Sequence, residues 1–117
     1  MKNKTFTQSI KCAFSGLNMA FKSEKNFKYY LIINIIFGVL NIIFKVDNYW
    51  WIGYILTTCG VYSAELINTA IEKLADAVTI EIRNDIRAVK DIAAGAVLFW
   101  GFGFFTNEII AIGSKFL

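Results

Sequence analysis

Apolar residues run along this chain in long stretches, and short polar clusters divide them into four helical segments. In residues 5–26, Phe6, Ile10, Ala13, Phe14, Leu17 and Phe21 fall on one side of a helical wheel, with Lys11 and Lys22 toward the other. That pattern predicts an amphipathic helix lying in a membrane interface, its lysines toward anionic headgroups. If the helix continues, it returns Glu24 to the apolar side, where an acid needs a cation or a metal. Ser23-Glu24-Lys25-Asn26 interrupts the pattern, and residues 27–44 are then almost wholly apolar, broken by Lys28, Asn34 and Asn41. They are just long enough for a first transmembrane helix. A polar turn at 45–48 leads into Tyr49, Trp50, Trp51 and Tyr54, the cluster expected of interface anchors. A second transmembrane helix is predicted over 50–71, with Gly60 and Ala64 spaced for close packing. Residues 73–91 are polar and predict a water-exposed connector with a turn or two of helix at each side. The third transmembrane helix spans 92–112. It opens with Ala93, Ala94, Gly95 and Ala96, and Gly101 and Gly103 are expected to loosen its middle.

Within the second of these helices a polar stripe emerges. Glu65, Asn68, Glu72 and Asp76 lie at offsets of three, seven and eleven, within roughly 80° of arc on one face. Such a stripe is usually the solvated side of a soluble helix. Here it starts inside an apolar run, where carboxylates are costly and usually face a bundle interior for a purpose.

Composition supports the membrane reading. The chain has 117 residues, one domain's worth, of which 56% are hydrophobic, 16% aromatic and only 18% charged. Proline and histidine are absent, so histidine-based acid–base catalysis and metal ligation are excluded. Cys12 and Cys59 lack metal-type spacing and are expected to be free thiols. No secretory signal is expected, because the first long apolar run starts late. The net charge of +3 matters less than its placement. Six lysines (Lys2, Lys4, Lys11, Lys22, Lys25, Lys28) precede or open the first apolar run, and four basic residues lie in 73–91. The 45–48 turn and the C-terminus hold one each. Both basic segments should face the cytoplasm, which three spans satisfy with the N-terminus inside the cell and the C-terminus outside.

The polar groups predicted at that surface are Glu24, Glu65, Asn68, Glu72, Asp76, Lys90 and Asp91. Carboxylates with an amide oxygen form a hard, oxygen-rich site suited to Mg²⁺. A lysine can neutralise phosphate, and a carboxylate can take a proton from a lipid hydroxyl, the parts that phosphoryl transfer requires. There is no Gly-x-x-x-x-Gly-Lys-Ser/Thr motif, so any nucleotide binds without a P-loop. Composition leaves a cation channel or transporter subunit, or a purely structural bundle, open beside a kinase.

Particular motifs narrow the choice. Ala13-Phe14 with Gly16, Ser23-Glu24-Lys25-Asn26, the core Glu65-Leu66-Ile67-Asn68-Thr69-Ala70-Ile71-Glu72 followed by Asp76, and Lys90-Asp91-Ile92-Ala93-Ala94-Gly95-Ala96-Val97-Leu98 together resemble the prokaryotic diacylglycerol kinase family. These small three-span lipid kinases include undecaprenol kinases. The resemblance covers about residues 6–112. It implies an all-α integral membrane fold, with the interfacial helix and three spans forming a single domain over 1–117, in the inner (plasma) membrane. It also implies ATP- and Mg²⁺-dependent phosphorylation of a membrane lipid alcohol and a homotrimer with shared active sites. No nucleic-acid partner is expected. Undecaprenol is favoured over diacylglycerol as the acceptor. Carried over by position, Glu65 would be the general base, and Glu24 and Glu72 would hold the metal. Asn68 would position metal, nucleotide or substrate, and Asp76 would mark the nucleotide end of the stripe. Lys90 would contact the phosphates, and Asp91 would bind nucleotide or orient Lys90. Many relatives carry Glu-Tyr-His after the core helix. Here that region reads Thr79-Ile80-Glu81-Ile82-Arg83, and Arg83 is the candidate to replace the histidine.

Overall fold

Four helices in a computed structural model, which describes residues 5–117, account for nearly all of that stretch: α1 (Phe6–Ser23), α2 (Asn26–Ile43), α3 (Asn48–Val78) and α4 (Asn84–Gly113). Lys2 and Lys4, counted in the charge asymmetry, lie outside the described residues. α1 starts with a capping box. The Thr5 hydroxyl accepts from the Gln8 backbone N–H at 3.2 Å, and the Gln8 side chain accepts from the Thr5 N–H at 2.9 Å. The helix stops at Ser23, short of the expected 26. Glu24 caps it in extended conformation and so leaves the helical face onto which continuation would have placed it.

α2 ends in a Schellman turn. The N–H of Val46 donates to the Asn41 carbonyl and that of Lys45 to Ile42, with Lys45 at a left-handed φ of 53°. α3 and α4 run well beyond the spans predicted for them. The polar 73–91 connector is therefore mostly helix, and only 79–83 is not. Ala, Leu, Lys and Glu dominate 70–77 and no glycine or proline interrupts them, so the helix continues until the β-branched Val78-Thr79-Ile80 run. At 1.5 Å per residue the 31 residues of α3 reach about 46 Å, past a hydrocarbon core of about 30 Å. Gly101 and Gly103 do not break α4.

α3 and α4 form an antiparallel hairpin, the main packing unit. A Cβ at Gly60 would overlap the Trp100 indole, and one at Gly53 would overlap the Asn107 side chain, so both glycines let the two helices approach. α2 leans into the groove between them, with Phe37 against Phe104 and Phe105. α1 lies along α3, with Ala13, Gly16 and Leu17 facing Leu66 and Ala70 across a gap. Tyr54, expected at the interface, is instead drawn inside. Its hydroxyl donates to the Asn34 carbonyl at 2.6 Å and its ring packs on Phe104. Of the phenylalanines in 99–105, Phe104 is buried and Phe99, Phe102 and Phe105 are exposed.

The accessible surface is 8603 Å². A soluble monomer of this mass exposes about 6,500 Å². The excess is apolar: Phe6, Phe14, Ile35, Ile36, Ile55 and Leu56 all face outward. α2 and α4 are long and apolar enough to cross a membrane. α3 is longer still but carries the polar stripe through its second half. Cys12 and Cys59 are free and exposed.

Candidate active site

The polar stripe of α3 meets a second stripe, on α2, that the sequence reading passed over. Asn26, Tyr30 and Asn34 are four residues apart and share a face. Glu65 is only 2% exposed, and two of these residues hold it. The Asn26 amide donates to Glu65 Oε1 at 3.3 Å and the Tyr30 hydroxyl to Oε2 at 2.9 Å. One turn further, the Asn34 amide donates to Thr58 Oγ1 at 3.0 Å, and the Tyr62 hydroxyl donates to Asn34 Oδ1 at 2.8 Å. The four-residue spacing on α2 was the available signal. Sequence alone leaves open whether Asn34 bonds between helices or touches substrate, and the structure pairs it with Thr58 and Tyr62 of α3.

Toward the water-exposed end of α3, the Asn68 amide donates to Glu72 Oε1 at 3.1 Å. This leaves Asn68 Oδ1, buried, with no partner. The Thr69 hydroxyl beside it is also buried and unpartnered. Such orphans are costly unless something else satisfies them. One turn beyond Glu72, Lys90 Nζ donates to Asp76 Oδ1 at 2.7 Å, linking the outer ends of α3 and α4. Asp76, Lys90 and Asp91 line one side of a cavity of about 230 Å³ closed by the 79–83 connector.

Six of the seven sequence-predicted residues thus fall into three groups on one end of the bundle. Glu65 is clasped by α2, Asn68 pairs with Glu72, and Asp76 with Lys90 shares a cavity with Asp91. Glu24 is half-buried at the end of α1 and makes no hydrogen bond or ion pair to the other six among the described residues. Arg83, the candidate to replace a histidine, lines the same cavity as Asp76 and Lys90. Its guanidinium makes a two-pronged bond to Asp85, at 3.0 and 2.6 Å, which raises its own pKa and holds the Asp85 carboxyl below the usual range.

Among the described residues no three acids or cysteines converge to bind a metal by themselves. The donor set nonetheless fits a hard cation. Asn68 Oδ1 is a buried oxygen lacking a partner and Glu72 is its neighbour, and Mg²⁺ commonly takes one or two protein carboxylates and completes its shell with water and phosphate.

An acidic, amide-bearing site at one end of an apolar helical bundle defines a membrane protein with machinery for handling a charged ligand at the membrane surface. The chain belongs to the prokaryotic diacylglycerol kinase family, whose sequence model matches residues 11–112. It is a lipid kinase, and the reaction class brings ATP as phosphoryl donor. It is 30% identical over 92 residues to an undecaprenol kinase of Bacillus subtilis, covering 79% of this chain and 75% of that protein. It is also 29% identical over 91 residues to a diacylglycerol kinase of Synechocystis sp., covering 77% of this chain and 52% of that protein.

Proposed function

We propose that this protein transfers the γ-phosphoryl group of ATP to undecaprenol, giving undecaprenyl phosphate, with Mg²⁺ as the metal. The observation that carries this reading is the buried Glu65 carboxylate, held by Asn26 and Tyr30 where the apolar bundle meets the Asn68–Glu72 and Asp76–Lys90 pairs. Undecaprenol is preferred over diacylglycerol because the Ser23–Asn26 and Ala93–Val97 motifs resemble that branch and because the Bacillus subtilis relative acts on undecaprenol.

In this scheme Glu65 takes the proton of the lipid hydroxyl as its oxygen bonds to the γ-phosphorus, and ADP leaves with the bridging oxygen. Positioning the alcohol against a fixed base accounts for much of the rate. Asn26 and Tyr30 fix the carboxylate, so it need not reorganise when the lipid arrives. Glu72 and Glu24, with the Asn68 carbonyl oxygen, would hold Mg²⁺, which when bound neutralises charge on the phosphates. Lys90 supplies positive charge to the phosphates. Asp91 orients it from the adjacent position, and Asp76 keeps the ammonium in place at the nucleotide end.

The whole chain acts as one membrane-embedded domain with three spans, α2 and the apolar parts of α3 and α4. α1 lies in the interface of the plasma membrane, with the N-terminus cytoplasmic. The excess of exposed apolar surface supports assembly, and a homotrimer with sites shared between protomers is the arrangement proposed. A diacylglycerol kinase is the second reading, favoured by the Synechocystis relative.

Purified, lipid-reconstituted protein given [³²P]ATP with undecaprenol or diacylglycerol, with and without Mg²⁺, tests this. Labelled undecaprenyl phosphate that requires Mg²⁺ is expected. Equal labelling of both lipids would remove the substrate preference. Folded protein that labels neither would return the acidic stripe to a cation pathway.

A further inference from the structure

Between α2, α3 and α4, immediately inside the membrane from Glu65, lies a half-open cavity of about 200 Å³ with an almost wholly apolar lining. Its walls include Tyr30, Asn34, Tyr62, Gly101, Phe104 and Phe105. The polar atoms among them are already engaged with the wall itself: Tyr30 with Glu65, and Asn34 with Thr58, Tyr62 and Tyr54. What remains facing inward is aromatic and aliphatic carbon. Thr58, at the cavity, precedes Glu65 by seven residues, so the void extends about 10 Å deeper along α3 than the base.

We infer that this cavity is the subsite for the hydroxyl-proximal part of one hydrocarbon chain of the acceptor lipid. The inference rests on Glu65 being the acceptor end of the site. Three features single out that occupant. The cavity shares a wall, Tyr30, with the carboxylate, so a chain seated there places its head beside Glu65. It is open on one side, as lateral entry from a bilayer requires. Its size admits one chain and not two, since an apolar cavity of about 150 Å³ is filled by a single benzene. A polyprenol can seat the start of its one chain there and run the rest into the bilayer. A diacylglycerol must leave one acyl chain outside.

Gly101 gives direct access to the test. A Cβ built there meets nothing within 4 Å, and the residue lines the cavity. The first carbon of a side chain at this position therefore enters open space, and replacing a helical glycine favours the helix. The series Gly101→Ala, Gly101→Val and Gly101→Leu, assayed in reconstituted protein with undecaprenol, should raise the KM for lipid progressively with side-chain size, at least tenfold for leucine. The KM for ATP should stay within twofold, and this second constant reports an intact fold and nucleotide site. A lipid KM that is flat across the series, with wild-type turnover preserved, overturns the subsite. If only the leucine variant fails to fold, the alanine and valine variants decide between the same two outcomes. Wild-type protein that phosphorylates no lipid would instead refute the proposed function itself.

Discussion

Each end of the bundle buries an acid against an asparagine of α2, and the two acids serve different ends. Glu65 receives Asn26 and Tyr30 at one end. Glu108 receives the Asn41 amide at the other, at 2.9 and 3.3 Å, with the Asn107 amide at 3.5 Å. Glu108 and Asn41 are both 0% exposed and sit under Val46 and Ala111, which are buried as well. On α4 Glu108 is followed by Ile109, Ile110, Ala111, Ile112 and Gly113, so among the described residues no polar stripe continues along that helix. From Glu65 a ladder of Asn68, Glu72, Asp76 and Lys90 runs out to water. Burial of a carboxylate is therefore not enough to mark an active site. A site needs burial together with a route for a charged ligand, and the Glu108 end lacks the route. Glu108 is best understood as an interhelical clamp that ties α2 to α4 and fixes their register, the role for which buried polar groups in bundles are best attested.

The sharpest test makes the same substitution at both ends. Glu65→Gln keeps the size and one acceptor oxygen but cannot accept the proton, and should lower turnover by about 10²–10⁴-fold, the usual contribution of a general base, while ATP binding survives. Glu108→Gln still accepts from Asn41 and should leave turnover within about twofold of wild type, an estimate that follows from its lying outside the reacting groups. Steady-state ³²P transfer measures both. Comparable losses at the two positions would erase the distinction between site and clamp. The clamp has its own signature in stability. Glu108→Ala leaves the Asn41 amide buried and unpaired, which should cost about 1–3 kcal/mol and appear as a lower unfolding midpoint in detergent or lipid. An unchanged midpoint would show that Asn41 and Glu108 do not hold the helices together.

Much of this contrast was legible in the sequence, though unevenly. The α3 stripe is periodic and sits in an apolar run, so Glu65, Asn68, Glu72 and Asp76 could be placed on one face without coordinates. The partners on α2 are just as periodic, with Asn26, Tyr30, Asn34 and Asn41 on one side, but a sequence shows single polar residues in a membrane span as interruptions until their partners are known. Glu108 was invisible for the same reason, being one acid near the end of an apolar helix. The 73–91 segment reads as a connector with a turn or two of helix at each side, and the structure has helix up to Val78 and again from Asn84, around a short 79–83 link. Charged residues such as Glu72, Lys73, Arg87 and Lys90 are good helix formers, and the helices simply continue out of the membrane.

Between the two ends, the α3–α4 contact at Gly60 is the next place to probe. A methyl group there overlaps the Trp100 indole, which is partly exposed and can give way only by leaving its packing. Gly60→Ala should thus destabilise by about 1–3 kcal/mol through overpacking, against about 1 kcal/mol of helix propensity gained. The net loss should disappear in a Trp100→Leu background. A Gly60→Ala variant as stable as wild type, measured by thermal unfolding, would mean that the hairpin tolerates a wider separation than the close approach implies.

The smallest expected effect lies at the closed end. Lys45 holds the left-handed position of the turn that joins α2 to α3, where its Cβ is strained and where glycine is the usual occupant. Both backbone hydrogen bonds of the turn are made, from Val46 to Asn41 and from Lys45 to Ile42, so the substitution alters strain and not bonding. Lys45→Gly relieves roughly 1–2 kcal/mol of backbone strain and gives back part of it in chain entropy, for a net gain of about 0.5–1 kcal/mol. The unfolding midpoint should rise accordingly while turnover stays unchanged, because the turn tightens the clamp and leaves the ladder from Glu65 to Lys90 untouched. A stabilised variant with altered turnover would reveal that the clamp and the site are mechanically coupled along α2, whose asparagines touch both.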